Sequence, residues 1–305
     1  MIIQVVLFLS VIIDRVFGDP KTSLHPVALI GRFIGWWARP SIYPAHLQRI
    51  TGIVGWILTM GLFVTPFLFF QVFAPWYVYL IFAPFLLKIC FAWRALDEHV
   101  QEVSDAVTKQ ERARKASMLV SRDTSELDEE QVLSAAYESM AENLNDSIIA
   151  PLFWFIILGL PGAAMYRAVN TMDAMVGYRD ERLLLGWWAA RMDDILSFIP
   201  ARICGLILTG IYAWRKRLGP AMETFRNDRM KRPGFNGGIP MSLIAGGEGV
   251  MFEKPGIYRI GKQEKTLLDA GPSIVRTVGY STILFCLFAS VTLLLWGGIN
   301  NIYGI

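Results

Sequence analysis

Residues Glu138–Arg202 read ESMAENLNDSIIAPLFWFIILGLPGAAMYRAVNTMDAMVGYRDERLLLGWWAARMDDILSFIPAR, and the fold turns on how their charges sit among their apolar runs. Glu138, Glu142 and Asp146 recur every fourth position, which on an α-helix puts them on one face. Like charges stacked that way repel by about 0.2–0.5 kcal/mol per pair, so a cation must offset them. Arg167, Asn170 and Asp173 recur at steps of three, and Arg191, Asp193 and Asp194 follow. The flanks are PLFWFIILGLPG, LLLGWWAA and ILSFIPARICGLILTGIYAW, which belong in lipid or a deep core. Ionisable groups in such surroundings are expensive and mark functional sites, which argues against surface charges on soluble helices.

Working outward, the 305 residues are 54% hydrophobic and 18% charged, with mean hydropathy +0.41. Charge below the usual quarter and this hydropathy indicate an integral membrane protein. No Ser- or Gly-rich linker divides the chain, so one membrane domain over 1–305 is expected. A net charge of +3 is too small to imply nucleic acid. Cys90, Cys204 and Cys286 lie far apart, with no ligand-like spacing, and read as free buried thiols rather than a zinc site or a disulfide framework.

Met1–Ile13 lacks a basic leader and a small-residue cleavage site, so it is expected to remain as a short first membrane helix. The segment Asp14–Pro40 carries turn signals at Gly18-Asp19-Pro20 and His25-Pro26. Thr51–Phe73 and Trp76–Trp93, separated by Ala74-Pro75, read as a transmembrane hairpin kinked at Pro66 and Pro84. Two polar regions, about 94–147 and 215–280, are rich in Lys and Arg and are assigned to the cytoplasm by the positive-inside rule. In the first, Leu96–Lys115 reads as one amphipathic helix, and Ser125 with Asp128 three residues later resembles an N-cap. Ile148–Leu160 is too short for an ordinary span and reads as a re-entrant or protein-buried helix. Gly162–Val176 and Leu183–Ile199 follow; Pro200 is expected to break the chain before Ile203–Trp214. The second polar region holds Gly-rich stretches at 233–240 and 245–249, read as connecting loops or as turns that approach a ligand closely. Tyr280–Ile299 is the last expected span. The fold class is therefore all-α: a polytopic membrane protein with short or re-entrant helices around a cytoplasm-facing cavity.

Carboxylates and amides (Glu138, Glu142, Asn143, Asp146, Asn170, Asp173) suit Mg²⁺, a hard ion that takes oxygen ligands. Arg167, Arg179, Arg191 and Arg202 suit phosphate or carboxylate, which guanidinium grips bidentately. Together they indicate nucleotide-driven chemistry on an acid. No Ser/His/Asp or Cys/His order supports a nucleophile system. Buried Arg–Asp pairs that only fix helix packing are the competing reading.

Asp14–Gly31 (DRVFGDP…HPVALIG), Leu119–Leu127 (LVSRDTSEL), Glu138–Trp154, Leu160–Arg179 and Ala189–Arg202 together resemble the adenosylcobinamide-phosphate synthases of cobalamin biosynthesis, the CobD/CbiB family. The resemblance implies an ATP-dependent amide ligation in the cell membrane, with the active site facing the cytoplasm. A propionate carboxylate of adenosylcobyric acid joins the amine of aminopropanol phosphate or a related amino alcohol. On that reading Glu138, Glu142, Asp146 and Asp173 hold Mg²⁺ and its waters. Arg167, Arg179, Arg191 and Arg202 hold phosphates or the acid, and Asn143, Asn170 and Asn236 orient substrate. Asp194 or His25 accepts the amine proton. Expected partners are the corrinoid, the amino alcohol phosphate, ATP, membrane lipid and other membrane enzymes of the pathway. Two other classes stay open: a non-enzymatic membrane sensor of the kind related to β-lactamase induction, and a transporter with broken helices.

Overall fold

The computed structural model describes residues 2–19, 26–120, 122–178 and 180–303, with side chains described as far as residue 295. It is 76% helical, with almost no strand. The helices are α1 (Ile2–Phe17), α2 (Pro26–Trp37), α3 (Gln48–Phe73), α4 (Trp76–Lys88), α5 (Arg94–Asp105), α6 (Lys109–Ala116) and α7 (Glu129–Asn143). A π-helical turn (Leu144–Ile149) leads into α8 (Ala150–Leu158), α9 (Leu160–Val176) and α10 (Trp187–Trp214). Then come α11 (Leu218–Asp228), α12 (Gly238–Glu248), the strands β1 (Met251–Lys254) and β2 (Tyr258–Gly261), and α13 (Leu267–Tyr303).

Among the described residues, α3, α10 and residues Leu267–Leu295 of α13 are long and apolar enough to cross a membrane. The 26 residues of α3 extend about 39 Å at 1.5 Å each, more than the roughly 30 Å of a hydrocarbon core. Ile57, Leu58, Leu62, Phe69 and Phe73 of α3 stand exposed, as do Leu284, Leu287, Phe288 and Leu294 of α13. Apolar faces of that extent are not left open to water by soluble monomers; lipid covers them at no such cost.

The chain divides into two compact units. The first comprises residues 1–92, 150–197 and 289–305. Here α2, α3, α4 and α8 pack on α9, and α1 packs on α4. Ile30, Ile34, Trp37, Tyr166, Val169, Met172 and Leu185 form its core. The expected hairpin partner of α3 is shorter than the sequence indicates: α4 stops at Lys88, after 13 residues. There the Lys88 ammonium is drawn to Asp19 and lies 3.7 Å from Asp14, which is wholly buried on α1. A buried ammonium needs carboxylate partners of this kind, and the helix ends on it, five residues before the expected Trp93.

The short apolar helix between the charged segments is real and is stopped by a specific device. Gly159 takes φ 71°, open to glycine and strained for other residues, and α9 starts at once with Pro161 in its first turn. Gln71 of α3 bridges the break, its Oε1 accepting from Leu160 N at 2.8 Å and its Nε2 donating to Leu158 O at 3.4 Å. The nine residues of α8 reach about 14 Å, too short to span a bilayer. Its Ala150, Leu152 and Phe155 are buried in protein.

The second unit comprises residues 93–149 and 198–288. Its α5, α6, α12 and β1 pack on α7, while α11 packs on α12 and β2. The single amphipathic helix expected over Leu96–Lys115 is in fact α5 and α6, separated at Ala106–Thr108, where Thr108 caps α6 by accepting from Glu111 N at 3.2 Å. The N-cap of the next helix is Asp128, not Ser125. Asp128 and Gln131 exchange hydrogen bonds of 2.8 and 3.2 Å in a capping box, and Ser125 turns to Asp123 instead. Pro200 does not break the chain: α10 runs through it from Trp187 to Trp214. Proline is tolerated inside membrane helices because neighbouring groups take up the freed carbonyl. The last span begins at Leu267, thirteen residues before the expected Tyr280. The stretch 245–249, read as a loop or ligand turn, lies mostly in α12. Its Gly247 lets α12 close on Tyr212, since a Cβ there would come within 2.3 Å of the ring.

Candidate functional site

In the second unit the acidic stripe of α7 is met by cations from elsewhere in the sequence. Glu138 is buried, its side chain 6% exposed. Its Oε1 accepts from Ser134 Oγ at 2.6 Å and from Arg122 Nη2 at 3.0 Å, and its Oε2 accepts from the Tyr258 hydroxyl at 2.6 Å. Hydrogen bonds to a charged group contribute about 1.5–3 kcal/mol each, enough to offset much of the cost of burying the carboxylate. Burial, then the charge of Glu138, pushes the Tyr258 phenol well up, so it stays protonated and donates.

Tyr258 gets there on a hairpin. Lys254-Pro255-Gly256-Ile257 forms the turn, with Gly256 at φ 73° and Ile257 N donating to Lys254 O at 2.9 Å. Proline at the second place and a positive-φ glycine at the third are the residues a type II turn requires. The antiparallel register pairs Lys254 with Tyr258 and Glu253 with Arg259. Glu253 is tied to the same hub, its N donating to Ser134 Oγ at 2.6 Å and its carbonyl accepting from Arg122 Nη1 at 3.3 Å. Helix, hairpin and the segment around Arg122 are thus locked through one carboxylate. The Arg122 Nε–H is buried and finds no acceptor among the described residues.

One turn further along α7, Glu142 pairs with Arg232, whose Nη1 also donates to Pro233 O at 2.8 Å. Asn143 donates to Ser139 O at 2.9 Å and accepts from Ser147 Oγ at 2.6 Å. The even spacing that groups Glu138, Glu142 and Asp146 assumes α-helix throughout. The π-helical turn from Leu144 is wider per residue and carries Asp146 off the stripe. Asp146 Oδ1 accepts from Asn145 Nδ2 at 2.7 Å, and the buried Asn145 Oδ1 has no donor among the described residues. A π-turn with a buried, under-satisfied amide is a common mark of function. Arg202 stacks 3.6 Å over Phe198 and donates to the buried Asn236 Oδ1 at 2.6 Å. The PGFNGG stretch therefore holds an arginine through its asparagine.

Sequence reasoning missed a second hub in this unit. Glu248, 2% exposed, accepts from Arg215 Nη1 at 2.6 Å, Tyr212 OH at 3.1 Å and Thr277 Oγ1 at 2.9 Å. Arg215 Nη2 donates to Ser273 Oγ at 2.6 Å. All its members are satisfied by one another, which fits a clasp between helices rather than a reacting group.

The remaining expected site residues fall in the first unit. Arg167 lines a cavity of about 20 Å³ with Ile30, Phe63 and Phe67, room for about one water. Asn170 Nδ2 donates to Asp193 Oδ1 at 3.3 Å. Asp173 folds against Gly177 at the end of α9, where a Cβ would meet its Oδ1 at 1.9 Å. Arg191 is exposed and Asp194 half-buried on α10. His25 and Arg179 lie outside the described residues.

No three His, Cys, Asp or Glu side chains among the described residues converge as a cage for an ion. Glu138 is committed to its three donors. Mg²⁺, however, commonly keeps its waters and takes one or two carboxylates with substrate phosphates. Glu142 and Asp146, both partly exposed, are the carboxylates of this segment left for that mode.

The CobD/Cbib protein family model matches residues 7–281. A probable cobalamin biosynthesis protein CobD of Methanothermobacter thermautotrophicus is 39% identical, over 95% of this chain and 97% of its own. The cobalamin biosynthesis protein CobD of Dehalococcoides mccartyi is 37% identical over 92% of each chain. A probable CobD of Thermococcus kodakarensis is 41% identical over 83% of each. No solved structure matches. Similarity over this much of the chain shows that it belongs to the CobD/CbiB family of cobalamin biosynthesis proteins.

Proposed function

We propose that this protein forms the amide bond of adenosylcobinamide phosphate in the cell membrane, with its polar regions at about 94–147 and 215–280 in the cytoplasm. A propionate carboxylate of adenosylcobyric acid attacks a phosphorus of ATP. An acyl phosphate forms as ADP leaves, or an acyl adenylate as pyrophosphate leaves. The free amine of aminopropanol phosphate, or a related amino alcohol, then attacks the acyl carbon. The amide forms, phosphate or AMP departs, and the proton of the attacking nitrogen passes to a base.

The observation that carries this reading is family membership along most of the chain, joined to a cationic, hydrogen-bonded acidic helix in the second unit. Arg202 and Arg232 are the guanidinium groups offered to phosphate or carboxylate, and each is already oriented by a neighbour, Asn236 and Glu142. Preset donors of this kind stabilise developing phosphoryl charge without reorganising. Asn143 and Asn236 orient substrate amides. Glu142 and Asp146 are the carboxylates that would hold Mg²⁺, which when bound adds positive charge beside the phosphoryl oxygens.

The protein in lipid nanodiscs, given ATP, Mg²⁺, adenosylcobyric acid and aminopropanol phosphate, is expected to yield adenosylcobinamide phosphate by mass spectrometry. Glu142→Ala is expected to abolish product while the protein still inserts. Absence of product from the unaltered protein with every amino alcohol tried would overturn the ligase reading. Full activity in Glu142→Ala would remove Glu142 from the site.

A further inference from the structure

A depression of about 560 Å³ lies between α6 and the turn at Arg122–Ser125, in the second unit. That is within the roughly 300–1,000 Å³ of small-molecule sites. Lys109, Arg114 and Arg122 line it, against one carboxylate, Asp123. The carboxylate is turned to its own backbone: Asp123 Oδ1 accepts from Ser125 N at 2.9 Å and Ser125 Oγ at 2.8 Å. The other cations of α6 are spent. Arg112 pairs with Glu129, and Lys115 lies 3.0 Å from Glu111. Lys109 and Arg114 have no ion-pair partner among the described residues.

The walls are fixed before any ligand arrives. Thr124 Oγ1 donates to Ala113 O at 2.7 Å, pinning the turn to the helix. Arg122 is bolted behind by Glu138 and the Glu253 carbonyl. A preset site loses less ordering free energy on binding. Three cations on a fixed wall suit a ligand with several negative charges close together. We propose that this depression is a phosphoryl site that takes the polyphosphate chain of the nucleotide. This rests on the reading that ATP is consumed. It adds Lys109, Arg114 and Arg122, none of them among the groups offered to the nucleotide above. Arg122 is shared with Glu138, so an anion bound here bears directly on the hub that holds α7 to the hairpin.

The test uses the full chain in nanodiscs of neutral phosphatidylcholine, with calorimetric titration of inorganic tripolyphosphate and of the Mg²⁺ complex of a non-hydrolysable ATP analogue. The unaltered protein is expected to bind both. Lys109→Ala/Arg114→Ala, on the exposed rim, is expected to weaken both by roughly tenfold per side chain removed. Lys109→Arg is expected to restore most of one step. Unchanged binding in the double variant would overturn the pocket assignment while leaving ATP dependence intact. No binding of either probe by the unaltered protein would overturn it too. If such a protein also formed no amide product with ATP, the ligase reading would fall separately. A parallel arm replaces a fraction of the lipid with phosphatidylglycerol. If Lys109 and Arg114 respond to that headgroup and tripolyphosphate never binds, the site is for lipid and the nucleotide assignment fails.

Discussion

Glu138→Gln is the sharpest perturbation of the site, because it preserves shape and removes charge. Three donors converge on the carboxylate: Ser134 at 2.6 Å, Tyr258 at 2.6 Å and Arg122 at 3.0 Å. The glutamine oxygen can keep Ser134 and Arg122. Its NH₂ then faces the Tyr258 hydroxyl, which must turn from donor to acceptor. Each bond to a charged group contributes about 1.5–3 kcal/mol and each neutral one about 0.5–1.5 kcal/mol, so the loss is about 1 kcal/mol per bond and about 3 kcal/mol in all. The Arg122 side chain is 13% exposed, so its charge is not freely rehydrated when its partner disappears.

Thermal unfolding in detergent, followed by circular dichroism at fixed lipid content, reads this directly. Tyr258→Phe removes one bond and is expected to cost about 1.5–3 kcal/mol in the unaltered background, but only about 0.5–1.5 kcal/mol beside Glu138→Gln. The phenol gives a second readout. Its ionisation is pushed up first by burial and then by Glu138. A group whose folded pKa lies above its unfolded value adds stability below the unfolded pKa, about 10 for tyrosine, and that stability drains away as pH rises toward the folded value. Stability should therefore fall in the alkaline range in the unaltered protein, and less steeply in Tyr258→Phe. If Glu138→Gln melts like the unaltered protein and Tyr258→Phe costs the same in both backgrounds, the hub is not what joins α7 to the hairpin.

Gly247→Ala places a methyl within 2.3 Å of the Tyr212 ring, and overpacking of that kind should cost about 1–3 kcal/mol, seen as a lowered melting temperature. Gln71→Ala removes the bridge across the α8–α9 break, and with Leu160 N left unmatched about 1 kcal/mol of stability should go, with faster hydrogen exchange confined to that break. A cysteine placed at the exposed Lys109 should react with an impermeant maleimide only when the cytoplasmic face is open to the reagent; the native Cys90, Cys204 and Cys286 are buried and give a low background. Labelling of intact cells from outside would reverse the assigned orientation.

What was legible in the chain follows from the range of the interactions that decide it. Hydropathy found α3 because its long apolar run needs no distant partner to be a helix in lipid. The α8–α9 break was legible from Gly159 and Pro161, whose backbone limits are local. The end of α4 was not: its last residue, Lys88, is held by Asp14 and Asp19 from some seventy positions earlier. Pro200 misled for a related reason: its local cost is real, but the carbonyl it frees, Leu196 O, accepts at 3.0 Å from Trp154 Nε1, forty-two positions earlier. Glu138 and Glu142 were legible as functional candidates by spacing alone. Arg122, Tyr258 and Arg232, which neutralise or donate to them, come from segments 16, 120 and 90 positions away. For Tyr258 a signal was present: Pro255-Gly256 between two short alternating stretches is a hairpin pattern inside a region otherwise read as loop.

Charge spacing along the sequence and chemical availability in space are different quantities. In the block 138–202, whose spacing points to a site, several charges have committed surroundings: Glu138 has its donors, Glu142 has Arg232, and Arg202 has Asn236 and Phe198. A side chain fixed by its neighbours can orient a substrate, yet it begins with its charge largely answered. The cations that begin unanswered, Lys109 and Arg114, sit in a short polar helix whose mixed composition looks like an ordinary solvated face. Coulomb attraction to an incoming polyanion is greatest where no internal carboxylate competes for the same cation. A triphosphate should therefore be met first at α6, and only through the shared Arg122 should its arrival be felt at Glu138. That order predicts a division among variants. Changes at Lys109 and Arg114 should raise the concentration of ATP needed for half-maximal rate with little effect at saturation. Changes at Glu142 should lower the saturated rate itself. The reverse division would mean that the acidic face of α7, and not α6, receives the nucleotide.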